Sequence, residues 1–288
     1  MYRGESVAVV VPAYNEERHI GMVLGGMPDY VDAVYVVDDA STDSTSDIVR
    51  AWAASASTSS KSASTPYTVS TQSTRVHLLQ YPLNRGVGAA ISTGYLRALA
   101  DGADTIAVMA GDNQMDPAEL PRLLDPIVEG SADYAKGDRF SCQEHLAGMS
   151  CWRRLGNRLL TWLTRVAVGN MKLNDPQNGY TAVSATLLQA LPLERLYPRY
   201  GYCNQLLCWI SDYGGRILDV PMPSRYLGER SKIRYATYIP RVSWLLLTLL
   251  IWRTIGLRGR RVRAQYSVGL NRNESSTKAM PASTSAAL

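Results

Sequence analysis

The sequence predicts an α/β fold with a mostly parallel sheet that carries helices on both faces, and three observations support this prediction. Segments with strand and helix patterns alternate through the first half of the chain, which is typical of βαβ units. The first strand, residues 7–11, is a continuous apolar run ending at Pro12, as expected of a strand buried on both faces. Polar motifs follow the strands, and ligands of such sheets bind beyond the carboxyl ends of the strands.

The remaining elements follow from hydrophobic periodicity and from capping residues. Ser41, Thr42 and Asp43, for example, are typical of the start of a helix. After the first strand, the sequence predicts in order a helix over 16–27, a strand over 33–37, a helix over 41–52, a strand over 75–80, a helix over 86–100, a strand over 104–109, a helix over 117–130 and a strand over 132–136. The polar residues that follow these strands should therefore meet at one edge of the sheet.

The chain of 288 residues, 46% of them hydrophobic and with a net charge of +5, is expected to form one main domain over residues 1–235. Residues 53–74 and 271–288 are rich in Ser, Thr and Ala and are predicted to be disordered. No apolar leader precedes the first strand, which predicts a cytoplasmic location. Reduced thiols are expected rather than zinc or disulfides, because no CxxC spacing occurs among Cys142, Cys151, Cys203 and Cys208.

Asp112 and Gln114 are candidate ligands for a divalent cation. A short apolar strand runs into residues 110–117, AGDNQMDP, which places a carboxylate and an amide oxygen just beyond the strand end. Mg²⁺ and Mn²⁺ favour such oxygen ligands and keep water or substrate phosphates in the other positions. An aspartate that merely caps a helix gives a similar pattern, so the pattern by itself leaves both interpretations open.

Two common classes of nucleotide-binding protein are disfavoured. Residues 86–91, GVGAAI, contain only two glycines of a dinucleotide fingerprint and follow the third strand rather than the first, so a dehydrogenase is not expected. No GxxxxGK[ST] motif occurs, which excludes a P-loop NTPase.

Four strand-end motifs together resemble those of the family 2 glycosyltransferases, which have the GT-A fold. They occur in the family's order, and the resemblance covers about residues 6–235. The motifs are VVVPAYNEE at 9–17, VVDDASTD at 36–43, NRGVGAA at 84–90 and GDNQ at 111–114. The resemblance implies that a nucleotide sugar binds at this edge, and the residues it assigns to the nucleotide are Pro12, Tyr14, Glu16, Asp39, Gly88 and Asp112.

The fourth motif departs from the family pattern at one position. By resemblance, Asp112 is the second Asp of the DxD motif and Gln114 the following Gln, and both would bind Mg²⁺ or Mn²⁺. Ala110 replaces the first Asp. The replacement predicts weak metal binding or a cation that arrives with the nucleotide, and it leaves open a homologue without catalytic activity.

The second half of the chain resembles the dolichyl- or polyprenyl-phosphate hexose synthases within this family. The segments GDR at 137–139, DPQNGY at 175–180 and RYLGERSK at 225–232 carry this resemblance, the last with one inserted residue. Cationic side chains suit a phosphate acceptor, because they provide charge-assisted hydrogen bonds. The residues expected at the acceptor phosphate are Arg139, Arg153, Arg225, Ser231 and Lys232. Arg139 and Arg153 are expected to share the catalytic role with Asp112.

A catalytic base is not evident, which agrees with a phosphate acceptor. Family members that act on hydroxyl groups often carry an acidic pair where this chain has YCNQ at 202–205. Transfer to a hydroxyl normally needs such a carboxylate to remove the proton, whereas a phosphate monoester is already anionic near neutral pH.

Residues 242–252, VSWLLLTLLIW, lie between Arg241 and Arg253 and are too short to span a bilayer, which takes about 20 apolar residues. A buried core helix is one interpretation. The terminal tryptophans and the arginines that follow, up to Arg263, favour an interfacial helical segment over 236–263 that contacts anionic lipid.

We therefore expect an inverting, metal-dependent hexosyltransferase on the cytoplasmic face of a membrane, bound peripherally or by shallow insertion. The expected donor is GDP-mannose or UDP-glucose, and the expected acceptor is a polyprenyl phosphate; no nucleic-acid partner is expected. Two alternatives stay open: a GT-A enzyme that acts on a soluble hydroxyl acceptor, and a nucleotide-binding homologue that has lost catalysis.

Overall fold

The computed structural model describes residues 1–58, 75–141, 151–223 and 235–254, which form a mixed sheet covered by helices on both faces. The strands are β1 Val7–Ala13, β2 Ala33–Asp38, β3 Arg75–Gln80, β4 Thr105–Val108, β5 Tyr134–Asp138, β6 Thr181–Ser184 and β7 Ile217–Pro221. The helices are α1 Ile20–Gly25, α2 Thr45–Thr58, α3 Val87–Ala100, α4 Leu120–Val128, α5 Cys151–Val168, α6 Ala185–Ala190, α7 Tyr202–Asp212 and α8 Tyr235–Thr254.

The sheet has the strand order β3-β2-β1-β4-β6-β5-β7. The first four strands in this order pair in parallel. β6 is antiparallel to both of its neighbours, and β5 and β7 are parallel. Thr181, at the start of β6, lies beside Val108 of β4 and Lys136 of β5. The carboxyl ends of β1, β2, β4 and β5 and the start of β6 therefore share one edge, as the sequence predicts for the first strands.

The central strand β1 is buried on both faces. Val9 packs with residues of α1, α2 and α4 on one face, and Val10 packs with residues of α3 and α7 on the other. Helix α3 lies so close to β1 that a Cβ atom on Gly94 would stand 2.2 Å from Val10 Cγ1. This burial explains why the strand is a continuous apolar run rather than an alternating one.

The structure differs from the sequence prediction at several elements. The sequence prediction assigns no strand after residue 136, so β6, a strand of four residues, and β7, a sheet-edge strand with a central aspartate, are additional to it. Helix α1 is shorter than predicted, since the Glu16 carbonyl accepts the His19 and Ile20 N–H groups in a turn. Helix α2 continues to Thr58, so the start of the segment predicted as disordered is helical; alanine, frequent there, favours helix. Residues 59–74 and 271–288 lie outside the described residues.

Helix α8 contains the apolar segment 242–252 and has two different faces. Val242 and Leu246 are buried in the core, on a helix that packs against α5 and α7. Trp244, Leu247 and Ile251 are 68%, 46% and 44% exposed. The interpretation as a core helix is correct for one face; the other face is exposed, and its contact with a membrane interface stays a prediction. No helix in the described ranges has the length and apolar character that a bilayer crossing requires.

Candidate active site

The loops after β1 and β2 are joined into one unit. Asn15 has a positive φ of 54°, its N–H donates to Ser41 Oγ at 2.9 Å, and its Oδ1 accepts the Thr42 N–H at 2.8 Å. The Glu16 N–H donates to Thr45 Oγ1 at 2.8 Å. The first two motifs therefore form a single rigid rim at the sheet edge.

The adjacent residues Asp38 and Asp39 have different roles. Asp38 is fully buried and accepts hydrogen bonds from the Ser41 N–H and from the Ser41 and Ser46 hydroxyls. Asp39 is 4% exposed, and its carboxylate accepts the N–H groups of Arg85 and Gly86 at 2.6 and 2.8 Å. Asp39 therefore ties the second motif to the third, and its contact with a nucleotide base stays a prediction.

The other residues predicted to line the nucleotide stand at the same rim. Pro12 is half-buried at the end of β1, and Tyr14 is 41% exposed. The Glu16 carboxylate is buried and lies 3.2 Å from His19 Nδ1. The structure brings these residues together on one side of the sheet edge.

The start of helix α3 is covered by the chain itself. The Ala89 N–H donates to the Pro198 carbonyl at 3.1 Å, and a Cβ atom on Gly88 would stand 2.0 Å from the Tyr197 carbonyl oxygen. In a dinucleotide-binding protein the helix N–H groups at such a position hold a pyrophosphate. Here the chain occupies that position, which agrees with the rejection of a dehydrogenase. Packing accounts for Gly88, and its predicted nucleotide contact stays untested.

Asp112 is not the helix cap in its motif. Asp116 takes that role by accepting the Ala118 N–H at 3.0 Å at the start of a 3-10 turn over Pro117–Glu119. Asp112 Oδ1 accepts the Gln114 N–H at 3.1 Å across Asn113, which has a positive φ of 59°. The structure thus separates the two interpretations that the sequence leaves open: capping is explained by Asp116, and Asp112 remains a candidate metal ligand.

The residues around Asp112 fit a cation that is carried by a diphosphate. Asp112 and Gln114 are half-buried, while Ala110 brings no oxygen ligand in its side chain and its N–H donates to the Met115 sulfur. Within the described ranges no three His, Cys, Asp or Glu side chains gather as a metal group. Mg²⁺ is often held by one or two carboxylates plus substrate phosphates, and a single carboxylate with an amide oxygen suits that arrangement.

A second group of charged residues surrounds the motif 175–180 at the end of β5 and the start of β6. Asp175 is buried and has a positive φ of 33°. Its carboxylate accepts two hydrogen bonds from the Arg139 guanidinium, at 2.6 and 2.8 Å, and one from the Arg139 N–H at 3.2 Å. The Arg139 side chain is still 37% exposed, so it combines a fixed orientation with access from solvent.

The motif 175–180 contacts the candidate metal loop. The Tyr180 hydroxyl donates to the Asp116 carbonyl at 2.8 Å, and a Cβ atom on Gly179 would stand 3.5 Å from Met115 Cε and 3.2 Å from the Tyr202 hydroxyl oxygen. The candidate donor side and the Arg139 side of the edge are therefore neighbours.

Other predicted acceptor residues are only partly covered by the structure. Arg153 lies in α5, in a part of the helix for which no side chain is described. Arg225, Ser231 and Lys232 lie outside the described residues. Their contact with an acceptor phosphate stays a prediction.

The stretch 202–205 provides no general base. Tyr202, Cys203 and Asn204 are buried, and the Asn204 amide donates to Thr164 Oγ1 at 3.0 Å. Burial raises the pKa of the Cys203 thiol to about 11. None of these side chains is a carboxylate, so the position where hydroxyl-transferring members often carry an acid holds packing residues instead.

Two residues of this region, Lys136 and Asp219, are absent from the sequence prediction. Lys136 is fully buried in β5, and its Nζ lies 2.6 Å from Asp219 Oδ1 in β7. The one sequence signal was a lysine at the end of a predicted strand, residues 132–136, that also contains Asp133. Without the pairing of β5 with β7, which the sequence does not predict, that lysine looks like a surface residue at a strand end.

The comparisons with known proteins agree with this geometry. The family model for glycosyl transferase family 2 matches residues 8–175, more than half of the chain. The chain belongs to this family.

Two relatives act on lipid phosphates according to their names. An undecaprenyl-phosphate mannosyltransferase of Micrococcus luteus is 30% identical over 228 residues, covering 77% of this chain and 86% of the relative. A UDP-N-acetylglucosamine–dolichyl-phosphate N-acetylglucosaminyltransferase of Methanococcus voltae is 26% identical over 221 residues, covering 76% of this chain and 86% of the relative.

Solved structures confirm the GT-A fold. The glucosyl-3-phosphoglycerate synthase of Mycobacterium tuberculosis, in complex with UDP, has a TM-score of 0.58 and 24% sequence identity. The match covers 87% of this chain and 80% of the synthase. The same synthase has also been solved with Mn²⁺, UDP and its product, with a TM-score of 0.58 and 22% identity.

Proposed function

We propose that the chain transfers a hexose from a nucleotide diphosphate sugar to a polyprenyl phosphate, with inversion at the anomeric carbon. The observation that carries this proposal is the combination of an ordered, accessible arginine with the absence of an acid at 202–205. Arg139 is held by Asp175 and 37% exposed, which suits a phosphate, whereas a hydroxyl acceptor would need a carboxylate base. The names of the Micrococcus and Methanococcus relatives support the same acceptor class.

The reaction is a single displacement. An oxygen of the acceptor phosphate forms a bond to the anomeric carbon, while the bond between that carbon and the diphosphate oxygen breaks and the nucleoside diphosphate leaves. The acceptor is already an anion, so no proton has to be removed by the protein. Arg139 would orient the attacking phosphate, and such orientation contributes a large share of the rate enhancement in two-substrate reactions.

The donor side would be held by the rim of the first two motifs and by Asp112. The exposed Tyr14 ring would contact the base, and Asp39 keeps the third motif in place through the Arg85 and Gly86 N–H groups. A divalent cation bound with the nucleotide would neutralise the charge that develops on the leaving diphosphate. Asp112 and Gln114 would hold that cation.

We propose further that the exposed face of α8 contacts the membrane in which a polyprenyl phosphate resides. Trp244, Leu247 and Ile251 recur on one side of this helix and are exposed, and an exposed apolar stripe with a tryptophan is typical of interfacial helices. A cleft of about 430 Å³ beside it is lined by Tyr197, Pro240, Arg241, Trp244, Leu245 and Thr248. The arginines after residue 252 in the sequence would add attraction to anionic lipid.

Product analysis tests the proposal. The purified chain is incubated with GDP-mannose or UDP-glucose, Mg²⁺ or Mn²⁺, and either a polyprenyl phosphate or a panel of soluble hydroxyl acceptors, and products are identified by mass. A polyprenyl-phosphate hexose is the expected product. Transfer only to a soluble hydroxyl would contradict the proposed acceptor, and nucleotide binding without transfer or donor hydrolysis would identify a homologue that has lost catalysis.

A further inference from the structure

Lys136 and Asp219 form a buried ion pair beneath the motif 175–180. The two residues are direct neighbours in the parallel pairing of β5 with β7. Lys136 Nζ lies 2.6 Å from Asp219 Oδ1, and the two side chains are 1% and 19% exposed. A buried charge is costly unless it is paired and hydrogen-bonded, so this pair requires a structural or functional reason.

The pair binds the backbone that leads into Asp175. Lys136 Nζ donates to the carbonyl oxygens of Asn174 and Asp175, the latter at 3.0 Å. Asp219 Oδ2 accepts the Asn174 N–H at 2.7 Å. Two charged side chains therefore fix both the carbonyl and the amide of one residue next to the motif.

Asp175 needs this support because of its backbone conformation. Its φ of 33° lies in the left-handed region, which is uncommon for residues other than glycine and is more strained than the usual backbone regions, so contacts that hold it there stabilise it. Asp175 in turn orients Arg139 through two side-chain hydrogen bonds. Arg139 follows β5 directly. Lys136 of β5 therefore contacts the backbone of Asn174 and Asp175, while Arg139 contacts the Asp175 carboxylate. Together these contacts form a closed ring.

We infer that Lys136, together with Asp219, is a positioning residue that acts through Asp175 to fix the Arg139 guanidinium for the acceptor phosphate. The inference rests on the proposed function for its substrate, but the ring of contacts is a property of the described residues. It assigns a role in acceptor use to a lysine that is fully buried.

The test uses Lys136→Met in the full chain, with Arg216→Met as the matched control. Arg216 pairs with Asp133 at 2.9 Å, and this pair also links the β5 and β7 ends of the sheet but lies away from the motif 175–180. Each variant removes one ion pair: Lys136 pairs with Asp219 within β5 and β7, and Asp133 pairs with Arg216 at the residues that immediately precede these strands. Asp219→Asn serves as a milder second variant in case Lys136→Met does not fold.

Two readouts separate positioning from general stability. In Lys136→Met, the KM for polyprenyl phosphate should rise at least about tenfold, the scale expected when a reactive group is misplaced by a fraction of an ångström, while nucleotide affinity is unchanged. Amide hydrogen exchange at Asn174 and Arg139 should accelerate by about tenfold or more, because both N–H groups depend on this ring. Asp219→Asn should shift both readouts in the same direction, and Arg216→Met should shift neither.

The outcomes decide the inference in every case. If Lys136→Met loses as much thermal stability as Arg216→Met but keeps the wild-type KM and wild-type exchange at both amides, Lys136 is only structural and the inference is wrong. If the wild-type chain transfers to no polyprenyl phosphate, the proposed function fails instead. The exchange of the Asn174 and Arg139 amides then still decides whether Lys136 positions Arg139.

Discussion

Arg139 and Asp175 are joined at two points, with Nε 2.6 Å from Oδ2 and Nη2 2.8 Å from Oδ1. Lysine keeps the positive charge but cannot form this planar two-point contact. We therefore expect Arg139→Lys to lower kcat/KM for polyprenyl phosphate by about tenfold or more, with nucleotide affinity unchanged. Steady-state kinetics and nucleotide titration check this. Arg122→Lys is the control, because Arg122 pairs with Glu119 on the surface, and a collapse of nucleotide binding in Arg139→Lys would contradict the assignment to the acceptor.

Asp112 should be the residue least tolerant of replacement on the donor side. Ala110 stands where the resemblance expects the first acid of the DxD motif, so Asp112 would be the carboxylate of this motif that remains for a cation. Asp112→Asn should lower turnover by roughly two orders of magnitude or more, the scale of losing a principal electrostatic stabiliser. Turnover measured across a Mn²⁺ titration checks this, and near-normal activity at all Mn²⁺ concentrations would remove the metal assignment.

Ala110→Asp tests the same site by adding a carboxylate rather than removing one. A second carboxylate would restore the family's DxD pattern, so this variant should retain activity and require less Mn²⁺ for half-maximal turnover. A variant that folds normally but needs more Mn²⁺ would show that the Ala110 position does not face the cation.

Asp39 should be needed for nucleotide binding, because its carboxylate holds the loop that contains Arg85 and Gly86. Removing its carboxylate leaves the Arg85 and Gly86 N–H groups without their acceptor, which costs about 1–3 kcal/mol for buried groups. We expect Asp39→Ala to weaken nucleotide binding at least about tenfold, measured by calorimetry. Asp104→Ala is the control, because Asp104 accepts the Ser6 N–H at the opposite end of the sheet and should leave nucleotide affinity as it is.

The exposed stripe of α8 should carry membrane binding without contributing to the core. Replacing Trp244, Leu247 and Ile251 together by Gln should abolish most binding to anionic vesicles in a flotation assay, while the melting temperature stays near the wild-type value. Leu96→Gln with Leu218→Gln, two exposed residues elsewhere, should leave vesicle binding intact. Unchanged flotation of the triple variant would place the membrane contact elsewhere or nowhere.

Cys203 should be inert in the folded protein. Burial raises the pKa of its thiol to about 11, so the thiolate, which is the reactive form, is scarce at pH 8. Iodoacetamide treatment at pH 8 followed by peptide mass mapping should leave Cys203 unmodified until the protein is unfolded in guanidinium. Rapid labelling of the native protein would mean that α7 opens readily.

The arrangement of the loops on the candidate donor side could be predicted from the sequence, because it depends on short segments of the chain. Each motif directly follows a strand, and parallel strands bring their carboxyl ends together, so the loops with Asn15, Asp39 and Asp112 had to meet. The different hydrogen-bond partners of Asp38 and Asp39 could not be predicted from the sequence. They depend on which of the two side chains points toward Ser41 and Ser46, and the backbone geometry of the loop after β2 determines this.

The Arg139 side depends on contacts between distant parts of the chain. The burial of Lys136 is understandable only because it pairs with Asp219. That pairing requires β7 to lie beside β5 with a defined register. Helix α8 presents a similar problem: residues 242–252 are almost uniformly apolar, so periodicity does not distinguish its two faces. Only the packing against α5 and α7 identifies Val242 and Leu246 as the buried side.

The burial of Val242 and Leu246 means that α8 is already folded before any lipid is present. Peptides that become helical only at a bilayer lose conformational entropy when they bind, and this loss lowers their affinity per unit of buried area. A helix anchored in the domain avoids that loss, so a few exposed side chains would suffice for the proposed membrane attachment. If α8 binds a membrane as proposed, detachment would leave the rest of the domain intact, and the chain would move between bilayer and water without a folding step.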